Sequence, residues 1–283
     1  MCRLNIHAGA RGWYLAALFL CGCNSVFYQG DSRKWWPPEA RGYDCERKPL
    51  RMSDGIELET LYCLGQAPSV GKKKQLIIQF HGNAQNINAH YLQLIWLTRY
   101  GYDFAGYDYR GYGNSGGVSN QHDIRKDAQA YIRFIRGAYS KHQRIFFGQS
   151  LGGAVLMQGL IDEGMREDEI YVFEGTFSSY QRIGRQFLAD RFLFWPFQWL
   201  PYLLLSDAAA PDGGLHRFRH YRVLIIHGED DPVIPLKHGQ IIAAQMGKPL
   251  WIIPQGGHLG LWRNHEGERA QQLIDRLSTL QDG

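Results

Sequence analysis

The chain has 283 residues, 45% hydrophobic and 20% charged, enough for one large α/β domain or two small ones with a buried core. Its formal net charge of +4 is small and scattered, and its longest basic block is Lys72-Lys73-Lys74, which gives no footing for nucleic acid as a partner. The aromatic share is high, 13%, and it is dense between Phe187 and Tyr202.

In chain order, the first element is an export signal. Arg3 and Arg11 form a basic region, and Trp13 to Leu20 is an apolar run too short to span a bilayer. Leu20-Cys21-Gly22-Cys23 resembles a bacterial lipobox, with Cys21 an unusual second residue. The resemblance implies removal of residues 1–22, a lipid on Cys23, and a place in the bacterial cell envelope facing the periplasm or the exterior. Asn24 is not the aspartate that marks inner-membrane retention, which leans outward. A plain secretory signal or an uncleaved anchor is the alternative. Loss of Arg3 and Arg11 would take the formal charge from +4 to 4 − 2 = +2.

Residues 23–42, with Trp35-Trp36-Pro37-Pro38, read as anchor and linker, and the domain as 43–283. A strand hairpin is expected over Tyr43–Leu50 and Ile56–Leu64, turning at Ser53-Asp54-Gly55. That turn sets Met52 against Ile56 and Cys45 against Cys63. Opposed cysteines in a non-hydrogen-bonded pair are within disulfide reach, and an exported compartment permits the bond. A one-residue slip would leave two free thiols.

Gln75–Phe80 reads as a strand buried on both faces, Asn86–Tyr100 as a helix, Tyr102–Tyr107 as a strand and Asp123–Tyr139 as a helix. Ile145-Phe146-Phe147 is a strand, Gly153–Ile161 a helix, and Ile170–Phe173 a strand. Val223–Ile226, Leu236–Met246, Leu250–Ile253 and Trp262–Leu280 continue the alternation as strand, helix, strand and helix. The fold class is therefore α/β: a mostly parallel, doubly wound sheet with an antiparallel hairpin at its start. Ligand sites in such sheets lie at the carboxyl ends of the strands.

The chemistry gathers at those ends. Gly148-Gln149-Ser150-Leu151-Gly152, between a strand and a helix, has the form of a nucleophile elbow: small residues allow a strained turn that exposes the Ser150 hydroxyl. His81-Gly82-Asn83-Ala84 follows the Gln75–Phe80 strand, His227–Pro235 follows Val223–Ile226, and Gly256-Gly257-His258 follows Leu250–Ile253. The order is serine, acid, histidine. With Tyr109-Arg110-Gly111-Tyr112-Gly113-Asn114-Ser115, these segments resemble the α/β-hydrolases from about Tyr43 to Leu280. The branch they resemble contains eukaryotic protein depalmitoylases and bacterial proteins of no known activity.

The resemblance implies a serine hydrolase cleaving a carboxylic ester or thioester, with no cofactor and no metal. Ser150 would be the nucleophile, His258 the base and Asp231 its orienting acid, the family spacing favouring Asp231 over Asp230. The oxyanion would meet the backbone amides of Leu151 and of Asn83 or Ala84. Peptide or amide hydrolysis on the same triad, or lipid or partner binding without catalysis, are the alternatives.

Gly111–Gly116 formally matches G-x-G-x-x-G, but no helix pattern opens within it, so it reads as a flexible turn beside the site. Asp108 and Arg110 read as a salt-bridge pair, His81 and His227 as structural strand ends, and His238 and His265 as solvated helix residues. His216 and His220 have metal-like spacing but no third ligand. Residues 176–220, rich in Phe, Trp and Leu, occupy the place of a small helical cap. They would form an apolar acyl pocket, a membrane-touching lid, or a cover whose aromatics are buried against the sheet. The substrate is then a small-molecule or lipid ester, and the membrane a partner through anchor and cap.

Overall fold

The computed structural model describes residues 24–67, 73–262 and 264–282. Cys23 and the lipobox lie outside the described residues. Eight strands form one sheet: β1 (Cys45–Arg51), β2 (Glu57–Cys63), β3 (Gln75–Phe80), β4 (Tyr102–Tyr107), β5 (Gln143–Gln149), β6 (Glu169–Glu174), β7 (Arg222–Gly228) and β8 (Leu250–Ile253). Their spatial order is β1-β2-β4-β3-β5-β6-β7-β8. The β1/β2 and β2/β4 pairs are antiparallel and all others parallel.

Strand composition explains this layering. β3, β4, β5, β6 and β7 are buried along almost their whole length, as strands covered by helices on both faces must be. Alternate residues feed two cores. Leu76, Ile78, Phe80 and Phe146 pack against helices α2 (Gln121–Ala138), α3 (Leu151–Glu163) and α6 (Lys237–Met246). Ile77, Ile145 and Phe147 pack against the 87–100 segment and α7 (Glu268–Asp282). The two remaining helices, α4 (Tyr180–Ala189) and α5 (Leu200–Leu204), belong to the excursion between β6 and β7.

Several expectations change in detail. The helix expected over Asn86–Tyr100 is one turn, α1 (Ile87–His90), followed by 3-10 turns at Tyr91–Gln93 and Ile95–Tyr100. Leu94 to Leu97 are all buried, so this segment is covered all round rather than along one stripe. The last helix begins at Glu268 rather than Trp262. His265 precedes it and stacks on Trp96 with centroids 5.5 Å apart. His238 is buried, not solvated, and burial pushes its pKa down to about 4. Arg110 pairs with Asp127 at 2.5 Å rather than with Asp108, whose Oδ1 accepts from the Ile87 amide at 2.7 Å.

The hairpin turns where the sequence placed the turn: the Met52 amide donates to Ile56 O at 2.8 Å, and the register sets Cys45 opposite Cys63. A disulfide joins the two across the pair.

Residues 27–36, read from sequence as linker, are packed onto the domain instead. Tyr28 is buried and its hydroxyl meets that of Tyr180 at 2.7 Å. The Asp31 amide donates to Gln85 O at 3.1 Å, and Gly113 donates back to Asp31 O at 2.9 Å. The Gly111–Gly117 turn is thereby tied down between this segment and β2, where the Gly116 amide donates to Glu57 O at 2.9 Å. The next helix opens only at Gln121, so the G-x-G-x-x-G match lacks the helix a dinucleotide site requires.

Candidate active site

Ser150 stands between β5 and α3 at φ 54, ψ −124. A non-glycine residue there stores on the order of 1–3 kcal/mol of strain, and its surroundings must hold it. They do so by close backbone approach. A Cβ on Gly152 would lie 2.0 Å from Phe80 O, one on Gly148 2.7 Å from the Gly153 Cα, and one on Gly153 2.4 Å from Thr176 Oγ1. The Ser150 amide donates to Glu174 O at 3.0 Å, and Thr176 Oγ1 donates to Ser150 O at 2.7 Å.

Ser150 Oγ is 2.9 Å from His258 Nε2, and His258 Nδ1 is 2.8 Å from Asp231 Oδ2. Asp231 is buried, whereas Asp230 is exposed. The other Asp231 oxygen, Oδ1, accepts the Val233 and Ile234 amides at 2.8 Å each, which fixes the carboxylate within its own loop. The acid and histidine loops are tied together: the Asp230 amide donates to Gly256 O at 2.9 Å and Glu229 to Ile253 O at 3.0 Å. Gly228 permits this approach, since a Cβ there would meet Gly257 O at 2.2 Å. His227 donates from Nε2 to Ile234 O at 2.7 Å and so braces the acid loop from below.

The loop after β3 separates the two amides the sequence left open. The Ala84 amide donates to Asn83 Oδ1 at 2.8 Å and is occupied. Asn83 Oδ1 also accepts the Gln29 amide at 2.7 Å and the Tyr112 hydroxyl at 3.1 Å, so the docked N-terminal segment holds this loop. The Leu151 amide, first in α3, has no acceptor within its own helix. The Leu151 amide and, beside the occupied Ala84 amide, the Asn83 amide are the candidates for an anion at Ser150. His81 and His90 stack 5.1 Å apart beneath the loop, and His90 donates to Ala84 O at 3.0 Å. Burial pushes the His90 pKa down to about 3, so it is neutral near pH 7.

One buried group went unread in the sequence. Glu174, at the end of β6, accepts from Gln149 Nε2 at 2.8 Å and Trp262 Nε1 at 3.1 Å. Gln79 extends the chain, donating to Gln149 Oε1 at 2.6 Å. Burial pushes the Glu174 carboxyl up to about 7. A glutamate closing the apolar run Ile170-Tyr171-Val172-Phe173 was the available signal.

A cavity of about 500 Å³ leads from Ser150 and Leu151 beneath α4 and α5. Its walls are chiefly apolar, among them Phe27, Phe177, Ile183, Leu204 and Val233. That volume suits a small organic group or a folded acyl chain. Gly184 lets α4 sit against α5, since a Cβ there would meet Leu205 Cδ1 at 2.6 Å. The aromatic excursion divides in two: Phe177, Tyr180, Leu215 and Phe218 are buried, whereas Phe192, Leu193, Trp195 and Trp199 face outward.

Residues 71–188 match a family model described as serine aminopeptidase, S33. The protein YfhR of Escherichia coli K12, itself described as uncharacterized, is 27% identical over 257 residues, covering 89% of this chain and 86% of its own. Among solved structures, the esterase Pf2001 of Pyrococcus furiosus superimposes with a TM-score of 0.67 at 16% identity, covering 89% of this chain and 98% of its own. An esterase from Exiguobacterium antarcticum does so with 0.60 at 19% identity, covering 82% and 100%. Strand order, elbow and superposition agree: the chain has the α/β-hydrolase fold, and its residues 71–188 are similar to the serine aminopeptidase, S33 family.

Proposed function

We propose that the protein cleaves a carboxylic ester or thioester carrying a medium-to-long acyl chain, through an acyl-Ser150 intermediate. The observation that carries this reading is the continuous Ser150–His258–Asp231 hydrogen-bond chain opening onto an apolar cavity. A serine hydroxyl is a weak nucleophile near neutral pH and needs a base within hydrogen-bond reach. His258 Nε2 takes the Oγ proton as Oγ attacks the acyl carbon, then returns it to the departing alcohol or thiol. Asp231 holds Nδ1–H, fixing the tautomer and stabilising the imidazolium. The Leu151 and Asn83 amides receive the negative charge of the tetrahedral intermediate, each such donor being worth about 2.7–4 kcal/mol in comparable enzymes. Water, activated by the same histidine, releases the acid.

Ser150→Ala should lower turnover of p-nitrophenyl acyl esters by about 10⁴ or more while leaving the unfolding midpoint within a small margin of the parent. Unchanged turnover would move the nucleophile elsewhere. The matched family model favours a second reading, amide hydrolysis at a peptide N-terminus. Such a site needs a carboxylate for the substrate ammonium, and the acidic side chain on the cavity wall is Asp190, exposed at the C-terminal end of α4. Matched ester and amide substrates of one acyl group separate the readings.

We also propose that Cys23 carries the lipid that holds the protein in the bacterial envelope, on the strength of Leu20-Cys21-Gly22-Cys23. Cys23→Ser should abolish metabolic labelling by an alkynyl fatty acid; persistent labelling would refute the assignment.

A further inference from the structure

We propose that the outward face of the cap, residues 192–203, lies in the surface of a lipid bilayer, with the mouth of the cavity turned toward the acyl chains. Phe192 is 98% exposed, Leu193 75% and Leu203 73%, with Trp195, Trp199 and Tyr202 each more than half exposed between them. Side chains this apolar are rarely left in water in one contiguous run, and such a patch marks an interaction surface. Three observations name the bilayer as its occupant.

The first is composition. From Arg191 to Ser206 there is no acidic residue, and the stretch holds two Trp, one Tyr and three Phe, the aromatic mixture that settles at the headgroup level. The second is charge. From Tyr180 to Ser206 the chain carries Arg182, Arg185 and Arg191 against one acid, Asp190; Arg182 is taken up by Asp212 at 3.0 Å, which leaves Arg185 and Arg191. Arg185 and Arg191 are exposed beside the apolar face, and the Arg191 guanidinium lies 3.5 Å over the Phe187 ring. This pattern, an apolar face edged by arginine, suits an anionic bilayer surface.

The third is where the chain enters. The 23 residues ahead of Asn24 include the apolar run Trp13–Leu20, and they join the described chain at the cavity rim. Val26 and Phe27 line the cavity, and Phe27 packs on Tyr180 at the start of α4 with centroids 5.2 Å apart. A chain retained at a membrane by that end has its cavity and its cap on the membrane side. Phe187, Leu188 and Leu204 link the exposed face to the cavity, so an acyl chain can pass from lipid to Ser150 without crossing water. The passage of substrate rests on the hydrolase reading; the docking does not.

The test uses the full chain on phosphatidylethanolamine–phosphatidylglycerol vesicles with brominated acyl chains, and reads tryptophan fluorescence. The parent should be quenched, and Trp195→Phe/Trp199→Phe should lose the share of the quenching that those two exposed rings contribute; Trp13, Trp35, Trp36 and Trp251 are common to both chains, and Trp96 and Trp262 are buried. Equal quenching in parent and variant would overturn the docking, whether because another protein or the Trp13–Leu20 run covers the cap. Ser150→Ala should be quenched like the parent, which keeps the result independent of catalysis. In an activity arm, Phe192→Ser/Leu203→Ser should slow hydrolysis of a vesicle-embedded long-chain ester about tenfold, the equivalent of roughly one apolar side chain's transfer, and leave a dissolved short-chain ester unaffected. Equal loss on both esters would overturn the entry route.

Discussion

At the scale of single residues, the site depends on what glycine omits and on what burial does to a carboxyl group. Gly152→Ala would drive a Cβ to 2.0 Å from Phe80 O, backbone against backbone, with no flexible side chain to yield. It should cost about 3 kcal/mol or more, read as a fall in the urea midpoint, and should lower activity by displacing the Ser150 turn. Glu174 makes a prediction of opposite character. Its pKa rises from 4.5 to about 7 because it is buried, so the native chain keeps a proton that the unfolded chain releases. The stability this proton confers is complete below about pH 4.5 and is lost as pH rises through about 7. Glu174→Gln should flatten that decline, which amounts to about 3 kcal/mol at most, in unfolding curves taken at about pH 5 and about pH 8. An unchanged slope would show that another group titrates there. Ser150, Asp231 and His258 were legible because each sits in a motif whose glycines and spacing are dictated by the turn it makes. The choice between the Asn83 and Ala84 amides was not, because it depends on where the Asn83 side chain points.

At the scale of elements, register and loop anchoring decide what the sequence can disclose. The register of the β1/β2 hairpin was readable, though its strand ends differ by one or two residues from those expected, because a short turn fixes the pairing and, through it, Cys45 opposite Cys63. The bond closes a loop with a sequence separation of 18, so reduction should cost about 3 kcal/mol by chain entropy, measured as a lower midpoint in reductant than out of it. The alternation of β3 to β8 with helices was equally plain. The 87–100 segment was not, since its apolar spacing matched a helix while burial on all sides favoured short turns. Nor was the docking of residues 27–36, because their contacts with Asn83, Gln85 and Asn86 lie far along the chain. Loosening that segment with Tyr28→Ala, which removes the Tyr180 hydroxyl contact, should raise KM for long acyl esters more than it lowers kcat, as Phe27 beside it lines the cavity.

At the scale of the whole molecule, three features converge on one edge: the point where the chain enters the domain, the mouth of the cavity and the exposed aromatics of the cap. Among the described residues no helix is long and apolar enough to cross a membrane. The sequence marks the stretch between β6 and β7 as rich in aromatics, but not which of them face outward, since that depends on how α4 and α5 pack on the domain. The Ser150–His258–Asp231 hydrogen-bond chain predicts that Ser150 is an activated nucleophile. Labelling the full chain with a fluorophosphonate, beside Ser150→Ala and His258→Ala, tests it most directly. The account predicts a label on the parent, at Ser150, and on neither variant. A folded parent that stays unlabelled in detergent, or a Ser150→Ala chain that is labelled as well as the parent, would contradict it.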